Sequence, residues 1–189
     1  KITHKTLSKK RKTLERIYEK IFCLNMTKPV ILLSFVSLFT DIASEMLYPI
    51  LPIYLKEIGF AMLTIGILEG FSEALSGYIK GYFGSLSDRL KKRTDFIRAG
   101  YFLSAFSKPL VGIFPILPLV FLFRLMDRFG KGIRTAPRDA LLIENSTIEN
   151  RGRVFGFHRG MDTLGAFVGP VFALAFMHYN PKDYRNLFL

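Results

Sequence analysis

Long apolar runs separated by short charged links make up most of this chain. Residues 61–83 hold few charges, and residues 96–123 hold only Arg98 and Lys108. Between them lies a charged decapeptide, Gly84-Ser-Leu-Ser-Asp-Arg-Leu-Lys-Lys-Arg93. A bilayer core about 30 Å thick takes roughly 20 apolar residues per helix, so a polar link this short turns the chain round at one membrane face. The helices on either side of it are expected to be antiparallel neighbours. The same reading places spans at about 30–54, 61–83, 96–114, 116–143 and 154–177, with a sixth starting at 184.

Composition agrees with that pattern. Half of the residues are hydrophobic, yet the formal net charge is +12. Both hold at once if apolar spans alternate with basic links. The basic residues sit between apolar runs and do not cover one face of a polar module, which argues against nucleic-acid binding. Links rich in Lys and Arg stay on the cytoplasmic side, so the 84–93 link is expected to face the cytoplasm, with the N-terminus on the same side. A multi-pass protein of a prokaryotic inner (plasma) membrane is the expected location. Trp is absent, leaving Tyr and Phe to form any interfacial belt.

Chemistry beyond the membrane is sparse. The lone Cys23 excludes an intrachain disulfide and a multi-cysteine metal site, and the His residues show no ligand spacing. Gly130-Lys131-Gly132 lacks the rest of a phosphate loop. No nucleophile, base and orienting group recur at useful spacing, so neither an enzyme nor a bound cofactor or metal is expected. Residues 1–25 are strongly basic, with Leu7, Leu14, Ile17, Ile21 and Leu24 at helical spacing. Two readings stay open for them: a juxtamembrane amphipathic helix on anionic lipid, or non-native sequence upstream of a start at Met26. Residues 26–189 form the incomplete transmembrane part.

Charged residues within the spans are the functional candidates, because charge at membrane depth is tolerated only against protein or water. Asp41 and Glu45 share one helix face, as do Glu69 and Glu73. Lys108 precedes Pro109 inside the third span. In 116–143, positions 124, 128, 131, 135 and 138 fall on one face as a largely basic stripe, which has to line water or meet carboxylates. His158 and Asp162 lie four apart near the inner end of the fifth span. Gly66, Gly70, Gly77, Gly81 and Gly84 suggest close helix packing along the second.

Several of these motifs resemble those of major facilitator superfamily (MFS) transporters. The link Gly84-x-Leu-x-Asp88-Arg89-x-x-Lys-Arg93 is similar to the family's loop between helices two and three, with Lys91 where that pattern has Gly. Asp41-x-x-x-Glu45-x-x-Tyr-Pro-x-x-Pro resembles the end of its first helix. Arg124 followed by Gly130 and Gly132 resembles its fourth, with Arg128 replacing a Gly. Gly165-x-x-x-Gly169-Pro170 resembles its fifth, as a helix-packing signature. The resemblance implies an all-α membrane protein, part of the N-terminal six-helix half of a twelve-helix MFS transporter fold. It also implies alternating-access transport of a small solute, permease or efflux pump, with proton coupling and a C-terminal half as partner. On it, Asp41, Glu45, Arg124, Asp127 and Arg128 are the substrate or proton candidates. Gly84, Asp88, Arg89 and Arg93 form a cytoplasmic gating loop that latches through Asp139 or Glu144. The alternative is a non-transporting membrane assembly or signalling protein on the same helices.

The rise per residue sets an approximate depth for each charge. Matching depths pairs Glu45 with Arg124, Asp41 with Arg128, and Glu73 with Lys108 as a structural ion pair.

Overall fold

The computed structural model describes residues 26–181 and 183–188; the basic stretch 1–25 and its two readings lie outside the described residues. Every element among the described residues is helical. In chain order they are α1 (Lys28–Leu47), α2 (Leu51–Glu57), α3 (Met62–Leu90), α4 (Arg93–Ile113), α5 (Leu117–Glu144), α6 (Arg151–Tyr179) and α7 (Tyr184–Phe188).

Proline explains the first break. The 30–54 stretch is two helices and not one, because Pro49 and Pro52 supply no amide donor and the chain turns through residues 48–50. The turn stays tight, with Ile50 N donating to Leu47 O and Tyr54 N to Ile50 O. Pro109, Pro137 and Pro170 lie inside helices without ending them.

The charged decapeptide is the larger correction. It is helix rather than loop: α3 runs on through Leu90, only Lys91 and Lys92 link it to α4, and Arg93 is the first residue of α4. Polar sequence is not helix-breaking sequence, and Leu, Arg and Lys are good helix formers. Ser87 Oγ donates to Gly84 O within the same helix. Lys91 ends α3 in the left-handed region at φ 53°. That conformation costs a residue with a side chain about 1–2 kcal/mol and costs Gly little.

Nor are α3 and α4 packed along each other. They touch little beyond contacts such as Phe83 edge-on to Phe96, and each packs along α5 instead. The second main pairing is α1 with α6, while α5 and α6 barely meet. The bundle is therefore an α3–α5–α4 group beside an α1–α6 pair, with Thr27 Oγ1 reaching Asn145 where the start of α1 meets the end of α5.

Glycine sets how close these helices come. A Cβ on Gly130 would stand 2.6 Å from Gly100 O, one on Gly132 2.7 Å from Ile79, and one on Gly169 2.7 Å from Ile42 O. The α5 glycines thus seat α4 and α3, and Gly165 and Gly169 seat α6 on α1. Gly84 meets Ala136 of α5. By contrast, Cβ atoms at Gly66, Gly70, Gly77 and Gly81 would touch nothing, so that row does not pack within the described chain. Ser72 and Ser76, on the opposite face of α3, are the buried ones.

The distribution of polarity is inverted from that of a water-soluble domain. Leu63, Phe102, Phe167 and Leu174 are at least 70% exposed, whereas Arg124, Asp127, Arg128, Arg134 and Arg138 are buried. Apolar clusters close the two ends: Leu47, Leu51, Leu55, Leu68, Val120 and Phe188 at one, Val30, Leu142 and Val154 at the other. Charges occupy the layer between them. Residues 28–57 and helix α6 are long and apolar enough to read as membrane spans from length and composition alone, at mean hydropathy 1.8 and 1.5; α3, α4 and α5 are not.

Backbone contact at Gly169 leaves no rotamer that relieves a clash. Gly169→Ala is expected to destabilise the chain in detergent by about 1–3 kcal/mol. Gly77→Ala is expected to be neutral or to stabilise by up to about 1 kcal/mol through helix propensity. Thermal unfolding of the two variants side by side checks the contrast.

Candidate functional site

Helix α5 carries the charges around which the site is built. Its first half faces α3 and α4. Arg124 grips Glu69 with both ends of its fork, Nε to Oε1 at 2.8 Å and Nη2 to Oε2 at 2.9 Å. Arg128 lies 3.7 Å from Glu69 and 3.4 Å from Glu73, with Tyr48 under its guanidinium. Asp127 takes Lys108 of α4 at 2.9 Å, a hydrogen bond from Ser104, and Arg124 at 3.5 Å. Fork-to-carboxylate bonds of this kind are the strong, orienting ones.

The second half of α5 faces α1 and α6. Arg138 donates to Ser37 Oγ at 2.9 Å and lies 3.3 Å from Asp139 and 3.6 Å from Asp162. Arg159 stands 3.8 Å from Asp139 and 3.7 Å from Asp162. His158, fully buried, places Nδ1 3.0 Å from Ser34 Oγ and Nε2 3.7 Å from Asp162.

Where the α3–α5–α4 group parts from the α1–α6 pair, a cavity of about 330 Å³ opens. Asp41 and Glu45 of α1 line one wall, Lys131, Arg134, Thr135 and Arg138 of α5 a second, and Arg159, Asp162, Thr163 and Ala166 of α6 a third. The charges that act on Asp41 are those of Asp162, Arg134, Arg138 and Lys131.

All three pairings expected from depth are thereby corrected. Glu45 does not meet Arg124, Asp41 does not meet Arg128, and Glu73 does not meet Lys108. Depth along the normal leaves open which helix stands beside which. Because α3 packs on α5, its Glu69 and Glu73 reach Arg124 and Arg128 before α1 can, and Lys108 finds Asp127 across the α4–α5 contact. Of the five candidate residues, Asp41 and Glu45 line the main cavity; Arg124, Asp127 and Arg128 are held in ion pairs, and Asp127 and Arg128 border a smaller space of about 20 Å³ that they share with Asp41, Glu45, Lys131 and Arg134. Arg134, Lys131, Arg159 and Glu69 belong to the charged layer although sequence reading gave them no role there. Spacing on α5 was the signal for Lys131, and the Glu69/Glu73 repeat was the signal for α3.

At the start of α4, Arg93 bridges Asp88 at 2.8 Å and Glu144 at 2.5 Å, and donates to Ala140 O at 3.3 Å. It ties the end of α3, the start of α4 and the end of α5. Of the two partners considered for it, Glu144 is the one in contact; Asp139 is engaged by Arg138 and Arg159.

Removing one partner of a buried ion pair is the costly change. Asp127→Asn leaves Lys108 and Arg124 facing a neutral amide and is expected to destabilise by about 3–5 kcal/mol. Lys108→Met leaves Asp127 with Ser104 and Arg124 and is expected to cost less. In the Lys108→Met background, Asp127→Asn is expected to cost at least about 1 kcal/mol less than in the parent, a coupling that a double-mutant cycle of unfolding free energies measures.

Comparison with known proteins bears on this arrangement. The chain matches the sequence model of the Major Facilitator Superfamily over residues 33–189. It is 37% identical over 164 residues to an uncharacterised MFS-type transporter of Methanocaldococcus jannaschii, covering 87% of this chain and 41% of that protein. It is 31% identical over 136 residues to an uncharacterised protein of Mycobacterium tuberculosis, covering 72% of this chain and 33% of that one. With the quinolone resistance protein NorA of Staphylococcus aureus it shares 23% identity over 145 residues, 77% of this chain and 37% of that protein. The chain thus spans well under half the length of these relatives. A match that extends over most of the chain, on an all-helical bundle with its charges turned inward, settles the family: this multi-pass membrane protein belongs to the Major Facilitator Superfamily.

Proposed function

We propose that the chain supplies the N-terminal half of a transporter that moves a small solute by proton-coupled alternating access, with solute and proton meeting in the cavity between α1, α5 and α6. The observation that carries this reading is the cavity itself. At a depth where charge is expensive, about 330 Å³ of open space is lined by carboxylates and guanidinium groups from three helices. Most buried charges of α5 are consumed by α3, α4 and α6. Asp41 and Glu45 are left facing open space, with no ion-pair partner within 4.0 Å among the described residues. A carboxyl so placed can take a proton from water and give up its pull on Lys131, Arg134 and Arg138, which links protonation to the spacing of α1 and α5.

The separation between the two helix groups gives that linkage something to move. Between α5 and α6 there is little backbone contact, and the α1–α6 pair is joined to the rest by charged side chains in the middle layer and by the apolar clusters at the two ends, about which it can rock. Arg93, with Asp88 and Glu144, holds the inner ends of α3, α4 and α5 together and acts as a latch on the cytoplasmic side of a prokaryotic plasma membrane. Export is the direction favoured by the likeness to a protein named for quinolone resistance.

Full-length protein in proteoliposomes, with a pH gradient imposed and a pH-sensitive dye inside, tests the reading. Solute-dependent collapse of the gradient is expected, reduced at least about tenfold by Asp41→Asn and unchanged by Glu57→Gln on the outer turn. Equal flux in the Asp41→Asn protein would remove proton handling from this residue. Absence of any solute-dependent flux across a broad solute panel would point to a scaffold that does not transport.

A further inference from the structure

Four basic side chains reach the cavity, and two of them are neutralised: Arg138 and Arg159 share Asp139 and Asp162. Lys131 and Arg134 are not. No carboxylate among the described residues comes within 4.0 Å of either. Arg134 is only 4% exposed, and its Nη1 has no hydrogen-bond partner. A buried charged donor in that condition is costly, and native structures rarely leave one so without a reason. Its guanidinium carbon lies 4.6 Å from the centroid of the Tyr101 ring, which favours the charge electrostatically but offers Nη1 no oxygen acceptor. Gly100, against the Arg134 Cβ, lets α4 come close enough to put the ring there. The side chain is thus held from behind by α4 while it lines the cavity.

Lys131 stands one turn before Arg134 on the same helix, so the ammonium and the guanidinium line one wall together. A guanidinium is planar and offers paired donors that match a carboxylate or phosphate; an ammonium beside it adds a point charge. Across the cavity stand Asp41 and Glu45. A bare anion placed between the walls is attracted by α5 and repelled by α1.

We propose that Arg134 and Lys131 form an oxyanion subsite, and that the solute moved by this protein carries a carboxylate or phosphate group that seats there. The proposal rests on the transporter reading above and narrows its substrate class. It gives Arg134 a binding role that the basic stripe of α5, running through positions 124, 128, 131, 135 and 138, passes over.

Binding and flux are measured separately to test it. Full-length protein in nanodiscs is titrated with succinate and with inorganic phosphate, with sodium chloride and tetraethylammonium chloride at matched ionic strength as controls. Saturable binding of succinate or phosphate above the chloride control is expected, and which of the two binds tells carboxylate from phosphate. Arg134→Gln is expected to weaken that binding by about tenfold or more, since a hydrogen bond to a charged group is lost. Arg134→Lys, which keeps the charge without the fork, is expected to weaken it less. If Arg134→Gln does not fold, Lys131→Gln carries the test, with several-fold weaker binding expected. No binding above chloride, or binding unchanged in a folded Arg134→Gln or Lys131→Gln protein, overturns the subsite. So does a loss of thermal stability in Arg134→Gln with no change in anion response, which would mean that Arg134 answers a carboxylate elsewhere in the full-length protein. Anion binding without flux keeps the subsite and removes the transport reading; flux that is indifferent to Arg134→Gln does the reverse.

Discussion

A charge held at bilayer depth has to be met by an opposite charge, a dipole or water, and the last three-quarters of α5 carry four buried arginines: Arg124, Arg128, Arg134 and Arg138. The arrangement of the other helices answers that demand. α3 brings Glu69 and Glu73, α4 brings Ser104 and Lys108 to organise Asp127, α6 brings Asp162, and α1 brings Ser37. Arg134 has no carboxylate within 4.0 Å among the described residues; it rests on the face of Tyr101, and beside it the bundle opens into the cavity that Asp41 lines.

Such short contacts require backbones that approach closely, which is where the glycines matter. Gly130 and Gly132 lie on α5 between Arg128 and Arg134, and they let α4 and α3 come near enough for Asp127 to take Lys108 and for Glu69 to take Arg124. Gly165 and Gly169 do the same for α6 on α1. Shape and charge are therefore one design: small residues set the distances, and ion pairs use them. The apolar side chains, excluded from this interior except at its two ends, turn outward in the manner expected of a lipid-facing surface.

How much of this is legible in the sequence depends on whether a feature is local. Apolar runs and the isolated charges within them follow from composition along the chain, and so do the motifs that carry the family. Pairing is not local. Height along the membrane can be read from the rise per residue, but whether Glu69 or Glu45 stands opposite Arg124 depends on which helix occupies the adjacent groove, and that is decided by glycines far apart in sequence. Arg134 escaped for a related reason. It lies about 80° round the helix from Arg124, at the edge of the basic stripe, and only the Tyr101 ring of another helix directs it at the cavity. The helical nature of residues 84–90 was hidden because a dense run of charges resembles a link, although such residues form helix readily. Lys91, noted as standing in place of Gly, does occupy the one described position where a residue other than Gly adopts positive φ.

The account depends most on the bundle being wet inside and lipid-covered outside. In a background with Cys23→Ser, single cysteines at Thr135 and Ala166 in the cavity and at Leu63 and Phe102 on the outer surface can be labelled in membrane vesicles, with a charged, membrane-impermeant maleimide given access to both faces. Rapid labelling at the two cavity positions and protection of the two outer ones is the predicted result. Labelling of Leu63→Cys and Phe102→Cys as fast as Thr135→Cys would place the apolar surface in water and contradict the account at its root.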